Sequence, residues 1–202
     1  MSRRAAAGSA IVRPAIWRPV GRPEYLRQQA ELSLRHLGVE RLDLYQLHRI
    51  DPQVPLADQL GELVRLQEEG KVGHIGLSEV SIAELEQARA ITTIASVQNL
   101  YNLANRQSEA LLDHAEANDI AFIPWFPLAT GKLARTGGPL HAVADAHGAS
   151  PSQLALAWLL RRSPVMLPIP GTSSVAHVED NIHAATIELT DADYDALTNA
   201  AS

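Results

Sequence analysis

The sequence predicts an α/β fold of the (β/α)8-barrel type, represented by about five βα units. Three observations carry this. Apolar runs that begin near residues 42, 72, 95, 120 and 165 are each followed by a helical pattern, and such alternation builds a parallel sheet with right-handed crossovers. The runs are short and continuous rather than alternating, as in strands covered on both faces. They end in His48, Ser78, Gln98, Trp125 and Thr172, and barrels carry their chemistry at the carboxyl ends of their strands.

Residues 1–22, rich in Arg, Ala and Pro without a clear period, read as an irregular N-terminal arm, and 23–202 as the barrel domain. Pro23 suits a first helical position and Glu24 complements the helix dipole. Leu26, Ala30, Leu34 and Leu37 follow at helical spacing, and Gly38 can close the helix in a left-handed conformation, which predicts a helix over 23–37. Leu42, Leu44 and Leu47 give a mostly buried strand, 42–48, that delivers His48. Pro52 and Pro55 mark a loop before a helix near 56–69, whose apolar stripe is Leu56, Leu60, Leu63, Val64 and Leu66. After a strand at 72–78, Ser81 and Glu84 form a capping box opening a helix to about 91. A strand at 95–100, a helix at 106–118, a strand at 120–125 and a short helix at 140–147 follow. Ser150 and Gln153, with Pro151 between them, make a second capping box for a helix to about 162. The last strand spans 165–169, and helices near 175–184 and 191–200 end the chain.

With 202 residues, 46% hydrophobic and 20% charged, the composition is that of a globular chain able to bury a full core. A net charge of −6 argues against a nucleic-acid or anionic-membrane surface. The absence of cysteine excludes disulfides and thiolate metal sites. No apolar run approaches the roughly 20 residues of a membrane span, and no signal core follows Met1, so cytoplasmic residence is expected. No Gly-x-Gly-x-x-Gly follows a strand and no P-loop is present. His48 and Asp51 could suggest a metal, but no third ligand stands nearby and none is expected.

The segments LDLYQLHRID, GKVGHIGLSEVS, SVQNLYNL, PWFPLATGKL and LPIPGTSSVAHVEDN, in this order and spacing, resemble the aldo-keto reductase family over about residues 20–200. The likeness is greatest to a bacterial NADP(H)-dependent branch ending in an Ile-Pro-Gly-Thr segment. It implies that His48 orients and polarises a substrate carbonyl, whose oxygen needs donors as hydride arrives at carbon. Ser78 and Gln98 would bond the nicotinamide carboxamide, and Trp125 would stack on the ring, as a Tyr often does in the family. Leu128, Gly131 and Lys132 correspond to the loop over the pyrophosphate, with Lys132 as a point charge. Gly171, Thr172 and Ser173 would receive the ribose phosphate, and Asp180 and Asn181 the adenine. His177 stands where the family often has an arginine for the 2′-phosphate, so NADP(H) is preferred with NAD(H) as the alternative. Glu79 replaces the asparagine common after the serine, and a carboxylate accepts but cannot donate. The implied partner is a small carbonyl compound.

The resemblance also implies an Asp, a Tyr general acid and a Lys that lowers its pKa, on strands before the helix at 23. No residue fills those roles. Tyr25, Tyr45, Tyr101 and Tyr194 belong to other elements, Lys71 to a turn at the opposite end of the barrel, and Lys132 to the cofactor loop. His48 is then the sole member of a four-residue catalytic group, and the chain reads as an N-terminally incomplete barrel with impaired turnover. Five strands would leave apolar edges exposed, favouring self-association. The alternative reading is a non-catalytic nucleotide-binding or assembly module derived from a reductase.

Overall fold

The computed structural model describes residues 18–128 and 139–200. Four strands, β1 (Leu42–Leu47), β2 (Val72–Ser78), β3 (Ser96–Leu100) and β4 (Ala121–Trp125), lie side by side in chain order. Every pairing is parallel, with Gln46 opposite Gly76, Ser78 opposite Gln98, and Leu100 opposite Trp125. The helices are α1 (Pro23–Leu37), α2 (Leu56–Glu68), α3 (Ile82–Arg89), α4 (Glu109–Glu116), α5 (Pro139–His147), α6 (Pro151–Arg162), α7 (Val175–His183) and α8 (Asp191–Ala200). The arrangement is that of a partial (β/α) barrel, with helices linking consecutive parallel strands.

The expected fifth strand, 165–169, is not a strand. It touches the sheet through one parallel bridge, Phe122 to Met166, in which Phe122 N–H donates to Val165 O at 2.8 Å and Leu167 N–H to Phe122 O at 2.8 Å. The ladder would continue with residue 124 donating to Leu167 O. That residue is Pro124, which has no N–H. Pro168 within the segment does not bear on this ladder, because Val165 and Leu167 are the residues that face β4. Thr172 therefore sits in a loop rather than on a strand end.

Strand β1 departs in a different way. Leu44 is 40% exposed, because β1 pairs only with β2 among the described residues. The helix expected from 106 begins at Glu109, since Ser108 at φ −94°, ψ 16° is outside the helical region. Both capping boxes form, at Ser81 with Glu84 and at Ser150 with Gln153.

The core lies between the sheet and its covering helices, with Leu60, Leu63, Leu66, Ile75, Leu77, Val97 and Phe122 fully buried. Its aromatic part ties α6 and α8 to β3. Trp158 stacks between Tyr101 (5.9 Å) and Tyr194 (5.6 Å), and its Nε1–H donates to Thr198 Oγ1 at 2.8 Å. The buried Tyr101 hydroxyl donates to Glu109 Oε2 at 2.7 Å, and burial first and then Glu109 push its pKa far up. At the other flank α1 is tied to α2 and to the turn before β2. Arg27 bonds Glu62 (2.5 Å) and Glu69 (2.7 Å), and Lys71 bonds Glu31 (2.8 Å) and Glu69 (2.9 Å).

A third tie joins residue 21 to the loop after β1. Asp51 receives N–H bonds from Gly21 and Gln53, both at 2.9 Å, and these, Gly21 first, hold its carboxyl below the usual range. Gln59, wholly buried, bonds Asp51 N–H (3.0 Å), Asp51 O (3.0 Å) and Val54 O (2.7 Å). The backbone at Gly21 passes so close that an added Cβ would lie 2.4 Å from Gln59 Oε1.

Candidate functional site

The parallel register brings the carboxyl ends of β1 to β4 to one end of the sheet. Side chains alternate along a strand, so Gln46 and His48 share one side of the β1 chain while Tyr45 and Leu47 face the helices. Gln46 Nε2 reaches Ser96 Oγ at 3.3 Å across β2, over Gly76, the glycine at which an added Cβ would sit 2.3 Å from Ser96 Oγ. Tyr45 packs against the core, and burial raises its pKa.

His48 stands exposed in the bend just past β1. The next residue connects it to β2: Arg49 Nη1 donates to His48 O at 2.6 Å and to Ser78 Oγ at 3.1 Å. Ser78 is buried, and its hydroxyl donates to Gln98 O at 3.0 Å. The Gln98 side chain is half-buried and makes no hydrogen bond to another described residue. Beside His48, residues 18–20, α1 and β1 enclose a cavity of about 270 Å³ that Tyr25, Gln46 and Arg49 also line.

Glu79 closes the other half of the cluster. It occupies the left-handed region at φ 54°, where a non-glycine residue is strained and needs holding. Its N–H donates to Gln98 O at 2.9 Å, and its Oε1 accepts from Leu100 N–H at 2.9 Å and from Trp125 Nε1–H. Asn99 brackets the same turn, bonding Val80 N–H (3.2 Å) and Val80 O (3.0 Å) through its side chain. Phe126 also has a positive φ, 60°, and its carbonyl accepts from Asn102 Nδ2 at 3.0 Å. Trp125 is thus fixed at its indole nitrogen, and the residue after it at its carbonyl.

The structure joins Ser78, Gln98 and Trp125 in one bonded cluster and links His48 to it through Arg49. Leu128 is half-buried and packs against the core. Gly131 and Lys132 lie outside the described residues. Thr172 Oγ1 accepts from Ser174 N–H at 3.1 Å and contacts His177 Nδ1 at 3.3 Å, which forms a small exposed turn with Ser173. No described residue lies within 4 Å of an added Cβ at Gly171, so packing among them does not demand glycine there. Asp180 is exposed, with its carbonyl accepting from Gln153 Nε2 at 3.2 Å, and Asn181 is half-exposed. The Asp51 carboxylate accepts from the N–H groups of Gly21 and Gln53, and no group of three or more His, Asp or Glu that could hold a metal stands among the described residues. Arg49 and the bonds of Glu79 were not foreseen from sequence. Their immediate neighbours in the chain give no sign of them, because their partners come from other strands.

The arrangement presents a flat aromatic face, an amide, a hydroxyl and an imidazole at one rim. These residues fit a planar ring bearing a carboxamide, and the Ser78 hydroxyl is buried and already bonded to Arg49 and to Gln98 O. No helix among the described residues is long and apolar enough to cross a membrane. Comparison with known proteins adds independent information. The model of the Aldo/keto reductase family matches residues 10–202. An oxidoreductase of Schizosaccharomyces pombe is 52% identical over 176 residues, 87% of this chain and 58% of that protein. Pyridoxine 4-dehydrogenase of Escherichia coli is 40% identical over 183 residues, 88% of this chain and 64% of that protein. An aldo/keto reductase from Klebsiella pneumoniae, solved with NADP and acetate, superposes with a TM-score of 0.79 at 30% identity, over 86% of this chain and 64% of that one. The chain spans about three fifths of the length of the curated relatives it matches.

Proposed function

The chain belongs to the aldo/keto reductase family, and from that premise we propose that it binds NADP(H) at the rim of β1 to β4 and serves the reduction of aldehydes or ketones to alcohols. The observation that carries the reading is the bonded cluster of Ser78, Glu79, Gln98 and Trp125 beside His48. When bound, NADPH supplies the hydride. Trp125 offers the stacking face, Gln98 and Ser78 the amide and hydroxyl contacts, and His48 holds the substrate oxygen as negative charge develops on it. The turn from Thr172 to His177, with Asp180 and Asn181, receives the adenosine end, and NADP(H) is preferred to NAD(H). The complex of the Klebsiella relative with NADP supports the choice of nucleotide.

In this reading proton transfer is the weak step. Tyr101 is sequestered on Glu109, Tyr194 packs on Trp158, Tyr45 packs against the core, and Tyr25, which lines the cavity beside His48, has no lysine in that lining. Lys71 is engaged by Glu31 and Glu69. No Tyr–Lys pair stands beside His48 among the described residues, and the second reading is a nucleotide-binding module with little turnover. Leu44, 40% exposed on one flank, and Leu167 and Ile169, 54% and 46% exposed on the other, support self-association of the chain through the edges of its sheet.

Titration with NADPH and NADH, followed by tryptophan quenching, tests the binding. Saturable quenching, stronger with NADPH, is expected, and none at millimolar nucleotide would exclude both readings. NADPH oxidation with a test aldehyde separates them. For the chain as given, turnover roughly 10²–10⁴-fold below that of an enzyme with its general acid is expected, and robust turnover would refute the inventory of proton donors. Sedimentation velocity reports the association state, and a monomer at all concentrations would refute self-association.

A further inference from the structure

We propose that Glu79 makes this site discriminate between the two oxidation states of a nicotinamide ring, holding the oxidised, cationic form more tightly than the reduced, neutral one. The inference rests on the nucleotide reading above and concerns a residue that enters that reading only as a tether of the cluster, with no part in binding the ring. Glu79 is not a loose surface carboxylate. Its backbone is kept at φ 54°, its N–H donates to Gln98 O at 2.9 Å, and its Oε1 is shared by Leu100 N–H at 2.9 Å and the Trp125 indole. Both donors to the carboxylate are neutral. Among the described residues no Lys, Arg or His lies within ion-pair distance of it, whereas Glu62, a buried acid on α2, is paired with two arginines. The negative charge is therefore held in place, partly out of water, and not cancelled.

Its position gives that charge an object. The indole it grips is the aromatic face assigned to the nicotinamide, and Gln98, whose carbonyl it bonds, is the amide assigned to the same ring. An uncancelled unit charge near a protein surface changes the affinity for a unit cation at short range by roughly five- to thirtyfold. A neutral ring feels little of it. A structural tether for Trp125 needs only a hydrogen-bond acceptor, and an asparagine or glutamine would supply one. A carboxylate at this point adds a charge to that tether.

The experiment measures dissociation constants for NADP⁺ and NADPH by titration calorimetry at low ionic strength, with the chain as given, Glu79→Gln and Glu79→Asp. Gln keeps the acceptor and removes the charge, while Asp keeps the charge on a shorter arm. Circular dichroism and thermal melting check that each variant is folded. The expected result is a five- to thirtyfold shift in the ratio of the two constants for Glu79→Gln, nearly all of it from weaker NADP⁺ binding. Glu79→Asp should retain a ratio within about threefold of the original. An unchanged ratio in Glu79→Gln overturns the inference while leaving the nucleotide reading intact, as does an equal loss in both variants. If the original chain binds neither nucleotide, the nucleotide reading falls and this inference with it.

Discussion

The two flanks of the sheet begin with similar apolar sequences and end with different amounts of structure. Leu42–Leu47 forms a full strand with five register pairs to β2, and α1 and α2 pack behind it. The segment 165–169 makes one bridge to β4. Side-chain hydrophobicity does not separate them, since both carry three or more apolar residues. The supply of backbone donors does. β1 has no proline, whereas the ladder at the other flank meets Pro124, whose N would face Leu167 O. A parallel strand needs donors from both partners, so one missing N–H across the interface stops the ladder after a single step. The flank without a ladder is held by α6 and α8 instead.

That difference can be broken at its strongest point first. Trp158→Ala removes the ring stacked between Tyr101 and Tyr194, and burial at 1% exposure predicts a loss of about 3–5 kcal/mol in urea unfolding. A loss below about 1 kcal/mol would mean that the stack is not what holds the bridged flank. On the β1 flank the ties are ionic, and acid should find them. The Glu69 carboxyl is lowered to about 2, by Arg27 first and then Lys71. A lowered carboxylate contributes stability that is complete above its unfolded value of about 4.5 and is lost as pH falls toward 2. The urea midpoint should fall through that window, and Arg27→Met should move the Glu69 titration, followed by NMR, up toward 4.5. A Glu69 resonance that titrates near 4.5 in the unsubstituted chain would sink this account. The smallest effect belongs to Pro124→Ala. The new N–H faces Leu167 O, and a gained bond of about 0.5–1.5 kcal/mol is offset by about 0.4–1 kcal/mol of extra unfolded-chain freedom. Stability should hardly move, but the amide at position 124 should exchange slowly. Fast exchange there would show that something other than the missing donor ends the strand.

The same contrast explains what could be read from the sequence. Helix α1 runs from Pro23 to Leu37 as its spacing predicts, because Pro23 at its start and Gly38 at its end are signals carried within the element. The capping boxes are local in the same sense. The end of the fifth strand is not legible in its own segment, because the residue that stops it, Pro124, lies in another strand, and no window around 165–169 contains it. The site divides along the same line. Ser78 and Trp125 are legible as strand-end residues, and Gln98, which lies in the middle of β3, reaches the same rim through its register with Ser78. Arg49 on Ser78, and Glu79 on Trp125, are not legible, since each bond depends on register between strands. Glu79 further depends on a left-handed backbone that its residue type disfavours.

The passage of the chain over Asp51 and Gln59 has a consequence for how such a sequence can drift. Any residue larger than glycine at position 21 would press on Gln59 Oε1 at 2.4 Å and on Asp51 Cβ at 2.7 Å. Shortening Gln59 to make room would strand the backbone groups of Asp51 and Val54 that it serves. Positions 21, 51 and 59 therefore inherit as a unit: descendants should either keep all three or replace them together, and a single change among them should rarely survive.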